Sequence, residues 1–255
     1  MEVRAKKHLG QHFLKDERYA ERIVNALTEK KSPNRVIEIG PGTGVLTRFL
    51  LNNENIDLLA LDVDIESINF LQKHYPEHSE KFILQDFLQF DLKNIKGKKI
   101  DIIGNFPYNI SSQIMFRVLD FRNEIDVVVG MFQKEVAQRI ASPPGNKEYG
   151  ILSVLLQAFY SIEYLFTVPP GSFQPQPKVK SGVIRLTRNK VEKLNCDEQL
   201  FFKVVKTAFN QRRKTLRNAL KPVLENKIIN SWHMDKRAEQ LSVKDFIELT
   251  NLAQQ

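Results

Sequence analysis

The feature that most constrains the fold is an apolar run that ends in a glycine-rich turn. Residues 36–39 (Val-Ile-Glu-Ile) have the pattern of a buried β-strand, Gly40, Gly42 and Gly44 follow, and residues 45–51 continue with a helical pattern. Glycines at such a turn let a ligand approach the backbone, and the next helix offers unpaired N–H groups to a polar or anionic ligand. The spacing, G-x-G-x-G, differs from the G-x-G-x-x-G of dinucleotide enzymes. We therefore expect a strand–turn–helix unit with Gly40 and Gly42 beside a ligand.

Polar residues also follow the next apolar runs along the chain. Three runs have such an end: residues 58–61 before Asp62, residues 82–84 before Asp86, and residues 100–103 before Asn105. In this topology a carboxylate about 20 residues past the glycines accepts hydrogen bonds from both hydroxyls of a ribose. The later carboxylate, Asp86, suits an adenine amino group. Because the carboxyl ends of parallel strands lie at one edge of a sheet, these side chains are expected to meet the glycine turn at a single site.

The turn Asn105-Phe106-Pro107-Tyr108 has the chemistry to hold a flat heterocycle. The side-chain carbonyl of Asn and a backbone carbonyl before or at the proline can accept hydrogen bonds from an exocyclic amine, and an aromatic ring can cover the base. Methylation of an adenine N6 requires this arrangement, so Asn105, Pro107 and Tyr108 are the candidate catalytic residues. The alternative interpretation is an ordinary turn at the end of a strand, because Asn and Pro both favour turns.

Three further motifs, in consistent order, make the chain similar to a known family. They are residues 10–14 (Gly-Gln-His-Phe-Leu), residues 173–181 (Phe-Gln-Pro-Gln-Pro-Lys-Val-Lys-Ser) and residues 208–218 (Ala-Phe-Asn-Gln-Arg-Arg-Lys-Thr-Leu-Arg-Asn). Together with the turn at Asn105 they resemble the adenine N6,N6-dimethyltransferases of small-subunit ribosomal RNA. The resemblance covers nearly the whole chain. It implies an α/β fold with a Rossmann-like class I methyltransferase sheet, a small C-terminal α-helical domain, and S-adenosylmethionine as the methyl donor.

The resemblance also implies roles for single residues. The expected donor-binding residues are His12, Leu14, Gly40, Gly42, Asp62, Asp86 and Asn105. Two positions depart from the family's pattern, since His12 stands where many members have Asn and Phe106 where Leu is commoner. Phe106 is expected to support the turn beside the substrate base. Tyr108 and Phe173 are candidates to enclose a flipped adenine, and both are also compatible with a place in the core.

The charge of the chain indicates an anionic partner. Its 255 residues carry a formal net charge of +8 with a pI of about 9.4, and the attraction this creates weakens in salt. A basic cluster lies on and beside a helix predicted over residues 213–220, and its cations are Arg212, Arg213, Lys214, Arg217 and Lys221. Of these, we expect Arg212, Arg213, Lys214 and Arg217 to bind RNA phosphates. The alternative is a solvated helix face, which is the usual place of a run of charges.

Other cofactors and compartments are not indicated by the sequence. Cys196 is the single cysteine, so no intrachain disulfide forms, and the absence of Cys/His ligand spacing predicts no metal. The N-terminus lacks an apolar signal segment, and no apolar run approaches the roughly 20 residues that cross a bilayer. We expect a cytoplasmic monomer without a membrane partner.

The order of the patterns predicts two domains. Residues 1–188 form the expected methyltransferase domain, in which apolar runs alternate with helical patterns and favour a parallel, doubly wound sheet with an antiparallel tail. Residues 188–197 are polar and form the expected linker. Residues 189–255 are the expected helical domain that binds RNA or the ribosome.

The reaction implied by the resemblance is the transfer of methyl groups to N6 of two adjacent adenosines. These lie in a hairpin loop near the 3′ end of small-subunit ribosomal RNA, with the immature 30S particle as partner and a role in small-subunit biogenesis. Two alternatives stay open: a large-subunit RNA adenine N6-methyltransferase of the antibiotic-resistance type, and a mainly non-catalytic assembly factor. Residues 173–181 and 211–214 favour the small-subunit group. A DNA adenine methylase is less compatible, because such enzymes favour a D/N-P-P-Y turn and bring a separate sequence-reading region.

Overall fold

The computed structural model describes residues 3–29, 35–95, 99–224 and 229–254. The chain divides into two compact units. The first unit contains Met1–Ala137 and Ile162–Arg188, and the second contains Gln138–Ser161 and Asn189–Gln255.

The first unit is built on a mixed sheet of seven strands, in the order β4-β3-β2-β5-β6-β9-β7. Strands β1 and β8 form a separate antiparallel pair. The strands are β1 Phe13–Leu14, β2 Arg35–Ile39, β3 Asp57–Asp62, β4 Phe82–Leu84, β5 Ile100–Asn105, β6 Ile125–Gln133, β7 Tyr160–Val168, β8 Phe173–Gln174 and β9 Ser181–Arg188. Strands β4, β3, β2, β5 and β6 run parallel, and β9 is antiparallel to β6. The strand order reverses between β2 and β5, and such a switch point is where open α/β sheets bind ligands.

Helices follow most of the parallel strands, as the alternating pattern predicts. The helices are α1 Glu17–Thr28, α2 Val45–Leu51, α3 Ile65–His74, α4 Ser111–Asp120, α5 Lys134–Ala141, α6 Ile151–Gln157, α7 Glu198–Asn210, α8 Leu216–Ala219, α9 Lys221–Leu224 and α10 Val243–Gln254. Side-chain caps fix several starts, because Asp16, Asp64 and Asp197 each accept a backbone N–H of the first turn of α1, α3 and α7. Within the described part of the chain, no helix is both long and apolar enough to cross a membrane.

The core of the first unit lies on the sheet. Strands β2 and β5 are buried along almost their whole length, which explains their near-continuous apolar sequence. Helix α1 packs against β5, β6 and β9 through its buried Ile23, Val24 and Leu27, and α3 packs on β3 and β4. This packing holds the carboxyl ends of the parallel strands in fixed positions.

The second unit is helical. Helix α7 packs against α6, α8, α9 and α10. Its core includes Phe209, whose ring lies 6.1 Å from the ring of Tyr149 and 6.0 Å from the ring of Phe246. The contact between Tyr149 and Phe209 joins the residues before α6 to the C-terminal helices.

The division into units differs from the predicted boundary at residue 188. Residues 138–161 belong to the second unit, whereas the sequence analysis placed them in the first domain. Helix α6 lies in this stretch and packs against α7 and α10. These contacts join residues that are distant in sequence, so no local pattern reports them.

The prediction of a helix over residues 213–220 is wrong for residues 213–215. Helix α8 begins at Leu216, because Thr215 has an extended backbone (φ −66°, ψ 156°), and the Lys214 N–H instead donates to the Gln211 carbonyl in a turn. The cations at 212–214 therefore lie on a turn before the helix.

Candidate active site

A cavity of about 330 Å³ opens at the carboxyl edge of the parallel strands. Most residues predicted to form the site border it: His12, Gly40, Gly42, Asp62, Asp86, Asn105, Phe106, Pro107 and Tyr108. Further lining residues, which the sequence analysis did not assign, are Leu9, Gly10, Gln11, Phe13, Val63, Leu88, Asn109 and Ile110. The strand tips and the N-terminal segment thus converge on one site.

The glycine turn leaves the backbone open to the cavity. Gly42 has a φ of 54°, in the left-handed region, and a Cβ there would lie 2.8 Å from the Phe13 ring. At Gly40, by contrast, the nearest heavy atom to such a Cβ is Pro107 Cδ at 4.0 Å, so the space beside this backbone is free. A ligand can therefore approach the turn closely at Gly40, while Phe13 covers Gly42.

Asp62 is a buried carboxylate at the end of β3, only 6% exposed. Its Oδ1 accepts the Asp64 N–H at 2.9 Å, and its Oδ2 accepts the Gly42 N–H at 3.3 Å. Burial raises the pKa of Asp62 to about 6, although these backbone hydrogen bonds act in the opposite direction. The carboxylate is tied to the glycine turn and retains lone pairs for ligand hydroxyls.

Glu38 is a second buried carboxyl group behind the turn, and the sequence analysis did not assign it a role. It is 1% exposed, and its Oε2 accepts the Thr47 hydroxyl of α2 at 2.7 Å. Burial raises the pKa of Glu38 to about 8, with a smaller contribution from the nearby Asp62. The bond to Thr47 fastens α2 to β2, and so fixes the helix that follows the glycines. The sequence signal for this role was the position of Glu38, an acidic residue in an otherwise apolar run just before the glycines.

The amide of Asn105 has a fixed orientation. Its Nδ2 donates to the backbone carbonyl of His12 at 2.7 Å, and this nitrogen can only donate. His12 is held in turn, because its Nδ1 lies 2.8 Å from the Pro175 carbonyl. A carbonyl only accepts, so Nδ1 carries the proton. The Oδ1 of Asn105 is therefore left as the acceptor for a substrate.

Tyr108 is held through its hydroxyl group. The hydroxyl lies 2.7 Å from the hydroxyl of Ser181, which is fully buried at the start of β9. Burial raises the pKa of Tyr108, and the Ser181 hydrogen bond opposes the rise, so the phenol is neutral at physiological pH. The ring of Tyr108 is half-buried and lies 5.5 Å from the ring of His12. No role for Ser181 was predicted, although it is the last residue of the motif at 173–181. Its hydroxyl positions the Tyr108 side chain.

The N-terminal segment is tied down beside the cavity by Asp64. The Asp64 carboxylate accepts Lys6 Nζ at 2.6 Å and Gln11 Nε2 at 3.1 Å, while Gln11 Oε1 accepts the Lys6 N–H at 2.8 Å. Lys6 Nζ also lies 3.2 Å from Glu66. Lys6 lowers the pKa of Asp64 below its usual value despite burial, which keeps the carboxylate charged. These bonds fix residues 10–13 against the site.

Two predicted site residues lie in the core instead of the cavity. Leu14 and Phe173 are paired across β1 and β8, are 4% and 0% exposed, and pack in the main core cluster. Neither is among the residues that line the cavity, whereas Phe13, next to Leu14, is. Both side chains are apolar and buried at this short ladder, so the roles inferred for them at the site stay predictions.

Comparison with known proteins identifies the family of this chain. The family model for the ribosomal RNA adenine dimethylases matches residues 2–255. The chain belongs to this family. A ribosomal RNA small subunit methyltransferase A from Cytophaga hutchinsonii is 59% identical over 251 residues, which are 98% of this chain and 97% of that protein. One from Flavobacterium johnsoniae is 55% identical over 250 residues, 97% of this chain and 95% of that protein.

Solved structures confirm the predicted fold class of this adenine dimethylase. A dimethyladenosine transferase from Plasmodium falciparum aligns with a TM-score of 0.77 at 24% identity, covering 93% of this chain and 96% of that one. The 23S rRNA methyltransferase ErmE aligns with a TM-score of 0.69 at 22% identity, covering 94% and 99%. These two likenesses, both below 25% identity, establish the fold and not the activity. S-adenosylmethionine is the cofactor of this family, as expected.

Glycines in two strands make room for the unusual Phe106 of this dimethylase. Phe106 is 1% exposed, and its ring lies edge-on to Phe132 with centroids 5.1 Å apart. A Cβ added at Gly104 would lie 2.8 Å from the Phe106 ring, and one added at Gly130 would overlap that ring. The phenyl group therefore extends into the core, so the larger side chain supports the turn without filling the cavity.

Gly130→Ala is expected to lower both stability and methyl transfer. The new methyl group overlaps the Phe106 ring, and overpacking of this kind costs about 1–3 kcal/mol. Displacement of Phe106 also moves Asn105 and Pro107 on either side of it. The double variant Gly130→Ala/Phe106→Leu removes the overlapping atoms of Phe106 and gives the Phe132 ring, whose Cε2 would lie 2.7 Å from the new methyl group, room to shift. We therefore expect it to recover part of the lost stability and turnover. Thermal unfolding and turnover of both variants test this, and an unrescued double variant would contradict the packing argument.

The basic cluster of the second unit is partly occupied by partners within that unit. Arg212 donates to the carbonyls of Lys147 and Tyr149, the latter at 3.0 Å, and Arg217 donates to Asp235 at 3.0 Å. Arg213 and Lys214 are exposed on the turn before α8. Of the four cations expected to bind phosphate, these two are the most available.

Proposed function

We propose that this chain transfers methyl groups from S-adenosylmethionine to N6 of two adjacent adenosines of small-subunit ribosomal RNA, giving N6,N6-dimethyladenosines. The observation that carries the proposal is the orientation of Asn105. Its amide nitrogen donates to the His12 carbonyl, which directs Oδ1 as an acceptor at the cavity that Asp62 also lines. An acceptor fixed in this way suits an exocyclic amine.

The residues of the cavity fit the donor. Asp62 offers carboxylate lone pairs to ribose hydroxyls, the backbone at Gly40 is open, and Asp86 offers an acceptor to an adenine amino group. Val63 and Leu88 add apolar surface on which an adenine ring can lie. When bound, the donor supplies an electrophilic methyl group on a sulfonium. The protein residues hold the donor and align it with the substrate.

Asn105 has the central part in the chemistry. The N6 amine of adenine is a poor nucleophile, because its lone pair is delocalised into the ring. Hydrogen bonds from N6 to Asn105 Oδ1 and to a backbone carbonyl of Phe106 or Pro107 favour a pyramidal nitrogen, whose lone pair then faces the methyl group. Of these carbonyls, that of Pro107 already accepts the Ile110 N–H at 3.2 Å and keeps one lone pair. Position and electrostatics supply the acceleration, and the proton leaves after the cationic product forms.

Tyr108 covers the substrate base in this scheme. Its hydroxyl is anchored on Ser181 and its ring borders the cavity, so the ring presents a fixed apolar surface. A base stacked in a duplex must first be extruded to reach it. Phe173 is fully buried, and its contact with the base stays a prediction. Pro107 helps to shape the turn between Asn105 and Tyr108.

Small-subunit RNA is the proposed substrate because of the relatives named above. Proteins at 59% and 55% identity carry the name ribosomal RNA small subunit methyltransferase A, whereas the likeness to ErmE, a 23S rRNA methyltransferase, is at 22% identity. We propose further that the adenosines lie in a hairpin loop near the 3′ end, and that a monomer acts on the immature 30S particle in the cytoplasm. The role in biogenesis belongs to the same proposal.

The cellular test is mass spectrometry of ribosomal RNA from cells with and without this gene. We expect loss of dimethylation at two adjacent adenosines of the small-subunit RNA, and unchanged large-subunit RNA. Loss confined to the large-subunit RNA would instead support the antibiotic-resistance type of methylase. Unchanged RNA with defective subunit assembly would support a non-catalytic factor.

The proposed RNA contacts predict a particular salt dependence. In the double variant Arg213→Gln/Lys214→Gln, the log–log slope of small-subunit affinity against salt is expected to become shallower by about 0.7–0.9 for each lost phosphate contact. Both side chains are exposed on the turn before α8. Affinity for S-adenosylmethionine is expected to stay unchanged, because the cavity residues belong to the first unit.

Arg217→Gln is the matched control for this measurement. Arg217 already donates to Asp235, so its loss is expected to change the slope less than the loss of Arg213 or Lys214. Binding is measured on purified small subunits at several salt concentrations. Parallel lines for wild type and the double variant would remove the RNA-binding role from this turn.

A further inference from the structure

Three ligand-type side chains meet in the second unit, whereas the cavity residues all belong to the first. His233 lies on the 3₁₀ turn Trp232–Asp235, and Asp245 and Glu248 lie three residues apart on α10. His233 Nε2 is 3.9 Å from Asp245 Oδ1 and 3.7 Å from Glu248 Oε2. The three ligand atoms all lie within 4.8 Å of one another. Among the described residues, this is the one such group of three or more His, Cys, Asp or Glu side chains.

The imidazole nitrogen that faces the carboxylates is buried and without a hydrogen-bond partner. His233 is 2% exposed, and its Nε2 has no partner within hydrogen-bond distance. Separations of 3.7 and 3.9 Å from the carboxylate oxygens are too long for N–H···O bonds. A buried polar atom left in this state is costly and rare in proteins, so it needs a binding partner of another kind.

Each of the three side chains has a free ligand atom directed into the cluster. The Nδ1 of His233 lies 2.6 Å from the Ser231 hydroxyl, so a proton on Nδ1 can be donated there and leave the Nε2 lone pair toward the carboxylates. Asp245 Oδ2 accepts both the N–H and the hydroxyl of Ser242 at 2.8 Å, which leaves Oδ1 available. Metal-binding histidines and carboxylates are typically oriented by such outer hydrogen bonds.

We propose that His233, Asp245 and Glu248 bind a divalent transition-metal ion, with Zn²⁺ as the best fit. One imidazole nitrogen and two carboxylate oxygens form a three-ligand set that leaves a fourth position for water. Ligand bonds of about 2.0–2.2 Å place tetrahedral ligand atoms about 3.4 Å apart. The separations of 3.7 and 3.9 Å from His233 Nε2 need only a small contraction, whereas the three ligand atoms together lie within 4.8 Å of one another. Any larger movement falls to Glu248, whose side chain is 48% exposed and free to shift toward the ion. The spacing of these residues contains no Cys/His signature, which is why the sequence predicts no metal.

The ion would be structural and would fasten the turn at 231–235 to α10. The same stretch holds α8, because Asp235 accepts Arg217 and the Lys236 carbonyl accepts the Leu216 N–H at 2.8 Å. A metal bound to His233 would therefore also stabilise α8 and the turn at residues 212–214 that precedes it. This inference does not depend on the proposed methyl transfer.

The test is Zn²⁺ binding by the full-length, untagged chain after chelator treatment. Calorimetry is expected to show one site per chain, and the unfolding midpoint is expected to rise by about 5 °C at a Zn²⁺ concentration a hundredfold above Kd. In Glu248→Gln we expect affinity to fall at least tenfold. This side chain is 48% exposed, so the variant is expected to fold normally. His233→Gln is expected to abolish the site.

Glu192→Gln is the control, because Glu192 is an exposed carboxylate of the same unit outside the cluster. It is expected to bind Zn²⁺ like the wild type. Replacement by Co²⁺ should give an absorption spectrum of a tetrahedral site in wild type and Glu192→Gln only. Absence of binding to wild type, or equal affinity of wild type and Glu248→Gln, would overturn the proposal and leave the cluster as a histidine stabilised by two carboxylates.

Discussion

Asn105→Ala is expected to lower methyl transfer by a factor of at least about 100, the scale on which one transition-state hydrogen bond is lost. The variant removes the Oδ1 acceptor for the N6 amine, and it removes the bond that joins Nδ2 to the His12 carbonyl. Affinity for S-adenosylmethionine is expected to stay within about tenfold, or roughly 1.4 kcal/mol. Single-turnover kinetics and equilibrium donor binding separate the two effects.

Asn105→Asp is the informative companion to this variant. It retains an oxygen acceptor, but it places a carboxylate oxygen against the His12 carbonyl in place of the amide donor. Repulsion between the two oxygens misorients the side chain, so we expect turnover well below the wild type. Near-normal turnover of Asn105→Ala would exclude the role assigned to the amide.

The second large effect concerns the donor. Asp62→Ala is expected to weaken S-adenosylmethionine binding by at least about 100-fold, because two ribose hydroxyls lose a charged acceptor and each such hydrogen bond contributes about 1.5–3 kcal/mol. Calorimetry of the purified chain measures this loss. Asp120→Asn is a suitable control, since Asp120 is exposed at the end of α4 and outside the cavity. Unchanged affinity of Asp62→Ala would refute the placement of the ribose.

The raised pKa of Asp62 adds a pH signature to the same experiment. The carboxyl group of the free protein has a pKa of about 6, above its usual value. The ionised form accepts from the two hydroxyls with both oxygens and its full charge, and protonation weakens these hydrogen bonds. Donor affinity is therefore expected to fall as the pH drops below about 6 and to level off above it. Asp62→Asn cannot ionise, and its affinity is expected to be flatter across this range. An equal slope for both proteins would assign the dependence to another group.

Local sequence patterns were sufficient to predict the parallel sheet and to predict which residues border the cavity at its edge. The polar residue that ends each parallel strand is adjacent in sequence to the buried run before it, as at Asp62 and Asn105, and the edge of a parallel sheet then brings them together. The parallel order of these strands and the antiparallel β9 also followed from the alternation of apolar runs and helical patterns. These residues could therefore be predicted to lie together, because a parallel sheet places the carboxyl ends of successive strands at the same edge.

Tertiary contacts determine the side-chain positions that local sequence patterns did not predict. Phe173 is an aromatic residue of a motif, and only its pairing with Leu14 shows that the ring belongs to the core. The place of Phe106 depends on Gly104 and Gly130, the second of which lies on another strand. The orientation of Asn105 depends on a residue 93 positions earlier. Contacts at such separations have no periodic signal in the sequence.

The most direct test of the account is methyl transfer to purified, unmethylated small ribosomal subunits, read by mass spectrometry of their RNA. The wild-type chain with S-adenosylmethionine is expected to give N6,N6-dimethyladenosine at two adjacent positions, and Asn105→Ala is expected to give it at neither position while still binding the donor. Transfer to large-subunit RNA in preference to the small subunit, or donor and subunit binding without any methylation, would contradict it.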